Sequence, residues 1–140
     1  MSGTDLTLIV ERKREAARWL AVALADRRVA ETCLAMSPPT FGIAAYHCQQ
    51  ATEKSIKGKL IIAGTHFPAT HDLRALGAMA ATHYPQWRDL FVACIEWTSW
   101  GHAYRYPGLE EEVEPSAEAI DEALQTIDTL AHHLRSLTDH

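Results

Sequence analysis

The stretch from His47 to Lys57 gathers most of the side chains in this chain that could do chemistry: His47, Gln49, Gln50, Glu53, Lys54 and Lys57. Glu53 and Lys57 stand at i and i+4, the favourable order for a helical ion pair. One reading is a surface pair that adds solubility and little stability. The other is that Lys54 and Lys57 hold phosphates, since a lysine ammonium serves as a mobile point charge. Lys54 projects about 100° around the helix from Glu53. His47 reads as a satisfied core or interface histidine, because buried polar groups find partners. Gln49 and Gln50 offer amide contacts or satisfy a neighbouring helix end.

Two further clusters lie downstream. His71-Asp72 falls at a helix start, where Asp72 suits the cap and the dipole. His71 could then face a pocket shared with the 47–57 segment, and exposed amides at the helix start could accept an anion. Tyr104-Arg105-Tyr106 groups one fixed charge with two rings. Arginine recognises phosphate with a forked geometry, and rings stack on bases. The plainer reading is a packing corner in which Arg105 pairs with a carboxylate, Glu53 or Asp26.

Other chemistries find little support. His132 and His133 are adjacent, so they diverge on a helix, and no HxxxH, HExxH or CxxC spacing occurs. No glycine-rich phosphate loop is present, and no serine or cysteine sits in a nucleophile context. No metal and no cofactor are expected. Cys33, Cys48 and Cys94 are scattered and odd in number, a poor disulfide or zinc framework, and read as core thiols in a reducing compartment.

The elements that must position these groups read as helices. Residues 5–35 keep a helical apolar period, with Thr4 or Asp5 as cap and a charged outer face in which Arg27 and Glu31 are helix-spaced. Asp26 falls near the apolar stripe and needs a partner, for which an Arg or Lys of another helix is the natural choice. Ser37-Pro38-Pro39-Thr40 stops this helix. A second helix spans about 41–63. Ala44, Cys48, Ala51, Ser55, Gly58 and Ile62 line one of its faces, so a neighbour can pack close, and Gly64 can supply a left-handed C-cap. A short third helix, opened by His71-Asp72-Leu73, runs to about residue 82, capped by Thr70 or Asp72. A fourth covers about 86–101, and Pro107-Gly108 stops the chain again. A fifth covers about 115–137, opening on Pro115. No segment alternates like a strand and no repeat occurs. The expectation is an all-α, up-and-down bundle of four main helices plus one short helix, a single domain over residues 1–140.

Composition fits that class. The chain is 47% hydrophobic and 22% charged, as in an ordinary soluble domain. A net charge of -5 speaks against a general nucleic-acid binder, and no DNA partner is expected. No apolar run approaches the ~20 residues that span a bilayer, and no basic-then-apolar leader opens the chain. No membrane association and a cytoplasmic location are expected.

With these residues assembled, the chain resembles the HEPN family (higher-eukaryote and prokaryote nucleotide-binding domains). Ala45-Tyr46-His47-Cys48-Gln49-Gln50-Ala51-Thr52-Glu53-Lys54-Ser55-Ile56-Lys57 looks like its HxQQAxEKxxK helix. Thr70-His71-Asp72-Leu73 with Leu76 looks like its THDL..L segment, and Arg105-Tyr106-Pro107-Gly108 like its RYP turn. The three occur in the family's order. The resemblance implies a four- or five-helix bundle, a homodimer, a link to nucleotides or RNA, and association with a small nucleotidyltransferase in a toxin–antitoxin-like module. Trp87, Trp97 and Trp100 add aromatic surface suited to an interface. Nuclease members use Arg, four to six residues, then His. Here Arg105 is followed at those offsets by Glu110, Glu111 and Glu112. The one literal match, Arg135-x4-His140, ends at residue 140, in a terminal position where chains are usually mobile.

The expectation is therefore a nucleotide-binding or partner-binding module with no catalytic residues assigned. Lys54, Lys57, His71 and Arg105 would contact the ligand, with Tyr104 or Tyr106 stacking. The alternatives are a metal-independent ribonuclease with a diverged site, using His47 or His102 with Arg105, and a purely structural dimerising adaptor.

Overall fold

The computed structural model describes residues 2–100 and 115–139. Helix α1 spans Gly3–Ala35 and starts from Ser2, whose hydroxyl accepts the Asp5 amide at 3.1 Å while the Asp5 carboxylate accepts the Ser2 amide at 3.3 Å. Asp5 is thus the third helical residue of a capping box, and the cap falls at Ser2, not at Thr4 or Asp5. A tight connection containing a cis Ser37–Pro38 bond follows, and the Thr40 amide donates to the Cys33 carbonyl at 3.0 Å. Helix α2 then runs Phe41–Ile62. It ends as the sequence suggests: Gly64 adopts φ +72°, its amide donates to Ile61 O, and the Thr65 amide donates to Leu60 O, both at 3.0 Å. This pair of bonds is a Schellman closure, and the left-handed residue at its centre favours glycine.

Helix α3, Leu73–His83, is capped by Asp72, whose carboxylate accepts the Arg74 amide at 2.9 Å. Helix α4 covers only Arg88–Ala93, between 3₁₀ turns at Pro85–Trp87 and Ile95–Trp97. The single helix expected over 86–101 is therefore broken within its described part. The buried residues of this segment are Phe91, Cys94 and Trp97. They recur every third position, and the three-residue 3₁₀ turn keeps such positions on one side better than a 3.6-residue helix does. Helix α5, Ala117–Thr138, is capped by Ser116 through the Ala119 amide at 3.1 Å, so Pro115 precedes the cap instead of lying in the first turn. No strand occurs among the described residues, and the fold is an all-α bundle.

α1 and α2 pack along their length as a helical hairpin, and α5 lies against both. Small residues allow the close approach: Ala16, Ala23 and Ala30 on α1 and Ala44, Cys48 and Ala51 on α2 are buried. At Gly58 a Cβ would stand 2.6 Å from Leu134 Cδ2, so α5 occupies the space that the missing side chain leaves. Arg27 ties α1 to α5 with two bonds to Asp128, at 2.6 and 3.0 Å, and also pairs with Glu31. α3 packs against α2 and α4 against α3, with Leu73, Leu76 and Phe91 in the shared core. All three cysteines are free and buried. Burial pushes the Cys48 and Cys94 thiols up to about 12, which leaves them protonated. No described helix is long and apolar enough to cross a membrane. Trp97 stacks on Trp100, with centroids 5.5 Å apart, and Trp87 stacks on His133 at 4.4 Å.

Candidate functional site

α2 carries the chemistry, and packing buries much of it. Glu53, expected on one reading to lie on the surface, is only 2% exposed. A carboxylate so placed needs partners. It has two: Lys57 Nζ at 3.6 Å, one turn on, and His71 Nδ1 at 2.6 Å, from the segment that leads into α3. Gln49 holds that segment from the same helix. Its Nε2 donates to the His71 carbonyl at 3.3 Å, and its Oε1 accepts from Gln50 at 2.7 Å. The His71 side chain is 55% exposed. When its Nδ1–H donates to Glu53, the second ring nitrogen of the neutral imidazole carries the lone pair. Glu53 is thus a buried anchor for an accessible imidazole.

Lys57 is enclosed from the other side. Its ammonium lies 5.8 Å from the centre of the Trp19 ring and 5.7 Å from that of Phe67. The two rings meet edge-on at 6.3 Å. Cation–π attraction and the Glu53 carboxylate together hold this charge in place.

Asp26 on α1 makes a second unit of the same composition. It accepts from Lys54 Nζ at 2.5 Å and faces His47 Nδ1 at 2.9 Å. This supplies the partner that the sequence demanded for Asp26, and it does so from another helix. His47 and Lys54 are seven positions apart, two helical turns, so both can reach one carboxylate. Lys54 keeps 21% of its side chain exposed. Each unit therefore sets a carboxylate between one histidine and one lysine, and the two units sit on adjacent faces of α2.

The expected site residues thus divide. Lys57 and His71 meet on Glu53, with Lys57 enclosed, whereas Lys54 belongs to the Asp26 unit on the adjacent face of α2. Arg105, Tyr104 and Tyr106, and with them the RYP turn and His102, lie outside the described residues. Residues 109–114, the acidic run, do so as well.

One buried group went unread in the sequence. Lys59 is fully buried, and its ammonium donates to the Leu130 carbonyl of α5 at 2.7 Å. Tyr84 closes the same region by donating to the Lys59 carbonyl at 3.1 Å. Burial lowers the Lys59 amine to about 7. His133, between Trp87 and Tyr84, is lowered to about 4, first by burial and then by the charges of Lys59 and His132. The available signal was position: Lys59 follows Ser55 by four residues and so borders the small-residue stripe.

A family model described as HEPN domain matches residues 16–136. No curated protein and no solved structure matches the chain.

Proposed function

The chain belongs to the HEPN domain family, and from that premise we propose that it works as a nucleotide-binding module. The observation that carries the reading is His71, an accessible imidazole held at 2.6 Å by the buried Glu53. A ring fixed through one nitrogen, once it carries a second proton, donates its other N–H to a phosphate oxygen without losing rotamer freedom on binding. Lys54, paired with Asp26 on the adjacent face of α2, supplies a partly exposed ammonium. Lys57 acts from behind, by neutralising Glu53. Arg105, with its forked donors, and Tyr104 or Tyr106, as stacking platforms, are assigned to the same ligand on the strength of the family-like RYP motif alone.

Calorimetry with ATP, GTP and their shorter nucleotides tests this. Binding by at least one of them is expected, with loss in His71→Ala and in Arg105→Ala. A folded protein that binds none of them ends the nucleotide reading. A homodimer and a nucleotidyltransferase partner belong to the same proposal. Light scattering at micromolar concentration tests the first, and co-purification after co-expression with such an enzyme tests the second.

The same geometry favours a second reading. A histidine oriented by a buried carboxylate is the arrangement of a general base. A metal-independent ribonuclease with a diverged site would use His71 in that role, with Arg105 stabilising the phosphate. Incubation with labelled tRNA and mRNA separates the two: cleavage that disappears in His71→Ala and Arg105→Ala would promote the ribonuclease.

A further inference from the structure

A groove of about 430 Å³ opens between α3 and α4 and shares no lining residue with the Glu53 or Asp26 units. Its volume falls in the range of small-molecule sites, about 300–1,000 Å³. The floor exists because of a glycine. A Cβ on Gly77 would lie 3.2 Å from Phe91 Cβ, so α4 approaches α3 closely there, and Phe91 is buried beneath. Ile95 and Val92 extend the apolar lining, and Val92 is 54% exposed.

Charge sets the kind of occupant. Arg74 and Arg88 both line the groove, and no carboxylate does. Both side chains are exposed, and among the described residues neither guanidinium has a hydrogen bond or ion pair. Arg74 lies in the first turn of α3, where the helix dipole disfavours a cation. The nearby Asp72 carboxylate is used by the Arg74 amide instead of its guanidinium. Two forks that are unpaired among the described residues, above an apolar floor, complement a ligand that is anionic at one end and apolar in its body.

From this juxtaposition we infer that the α3–α4 groove binds a small organic anion, with its carboxylate, sulfonate or phosphate between Arg74 and Arg88 and its apolar body on Gly77 and Phe91. The site is independent of the nucleotide contacts proposed for His71.

Two fluorescent probes of one ring system test this: 8-anilinonaphthalene-1-sulfonate, which is anionic, and N-phenyl-1-naphthylamine, which is neutral. The full chain is expected to bind the anionic probe at one saturable site, and the neutral probe at least roughly tenfold more weakly, the equivalent of one charged hydrogen bond. Arg74→Gln/Arg88→Gln should weaken the anionic probe by at least roughly tenfold and leave the neutral one unchanged. Ala78→Trp, which fills the groove from an exposed position, should exclude both. Unchanged helical circular dichroism and urea midpoint certify each variant, and Arg74→Lys/Arg88→Lys replaces any that fails, with partial retention expected. Absence of anionic-probe binding, equal affinity for both probes, or an affinity indifferent to the arginine substitutions would overturn the assignment.

Discussion

His71 Nδ1 stands 2.6 Å from Glu53 Oε1, and the two side chains differ sharply in exposure, 55% against 3%. An accessible ring is thus fixed by a group that solvent hardly reaches. Burial strengthens the contact, because the carboxylate has no water to exchange for its partner. Lys57, at 9% exposed, supplies the balancing charge.

Removing Glu53 strands that charge. Glu53→Ala is expected to destabilise the fold by about 3–5 kcal/mol, the usual cost of an uncompensated buried partner. Glu53→Gln should cost less, since it keeps the shape and one acceptor. His71→Ala should cost about 1–3 kcal/mol, because it leaves one oxygen of the buried Glu53 carboxylate without its partner, while abolishing nucleotide binding. Urea unfolding at pH 7 measures all three. A loss below 1 kcal/mol for Glu53→Ala would contradict the buried-pair account.

Asp26 and Lys54 join α1 to α2, with 13% and 21% of their side chains exposed. A double-mutant cycle of Asp26→Ala and Lys54→Ala should give a coupling of about 1–3 kcal/mol, above that of an exposed pair. The coupling should persist at high salt, because screening acts weakly on partly buried charges. Coupling near zero, or lost in 1 M salt, would place the pair among ordinary surface bridges.

Lys59 makes stability depend on pH above neutrality. Its amine is lowered in the folded chain, from 10.5 to about 7. Between those values the unfolded chain binds the proton that the folded chain has released. Stability therefore rises with pH from about 7 to 10.5, with a slope of up to one proton, and is lost as pH falls through that window. Lys59→Met should abolish this slope and be neutral or stabilising at pH 7, since an apolar chain of similar length avoids the desolvation. His133 acts in the same direction at lower pH, as stability falls between 6.5 and about 4. Urea titrations from pH 4 to 10 on both proteins provide the measurement.

Gly58 is expected to be a packing position. Gly58→Ala adds helix propensity worth about 1 kcal/mol but sets a methyl 2.6 Å from Leu134 Cδ2. Leu134 is fully buried and has little room to yield. Overpacking of this kind costs about 1–3 kcal/mol, so a net loss is expected. Leu134→Ala alone should be destabilising, and the double variant should be more stable than the sum of the two changes predicts. Strict additivity in urea unfolding would show that the helices had moved apart instead.

Much of the fold was legible in the residues because its causes are local. Gly64 ends α2, and prolines 38 and 39 end α1, through backbone properties that need no neighbour. Glu53 and Lys57 pair because 3.6 residues make a turn. The α4 segment misled because its aromatic residues fit either a 3.6- or a three-residue period. The choice between them lay in what Phe91, Cys94 and Trp97 bury against.

The sequence by itself determined the helices other than the broken segment around α4, most of their ends, the family motifs, and the demand that Asp26 find a cation. Helical periodicity and capping are properties of short segments. Only the tertiary structure decided that Lys54 and His47 answer Asp26, that His71 closes on Glu53, and that Lys59 lies inside the bundle. These depend on the register of α1 against α2, on where the 65–72 segment folds back, and on how near α5 approaches at Gly58. Each joins residues distant in the chain, and burial, the physical variable that turns a surface lysine into a core one, has no value until the helices pack.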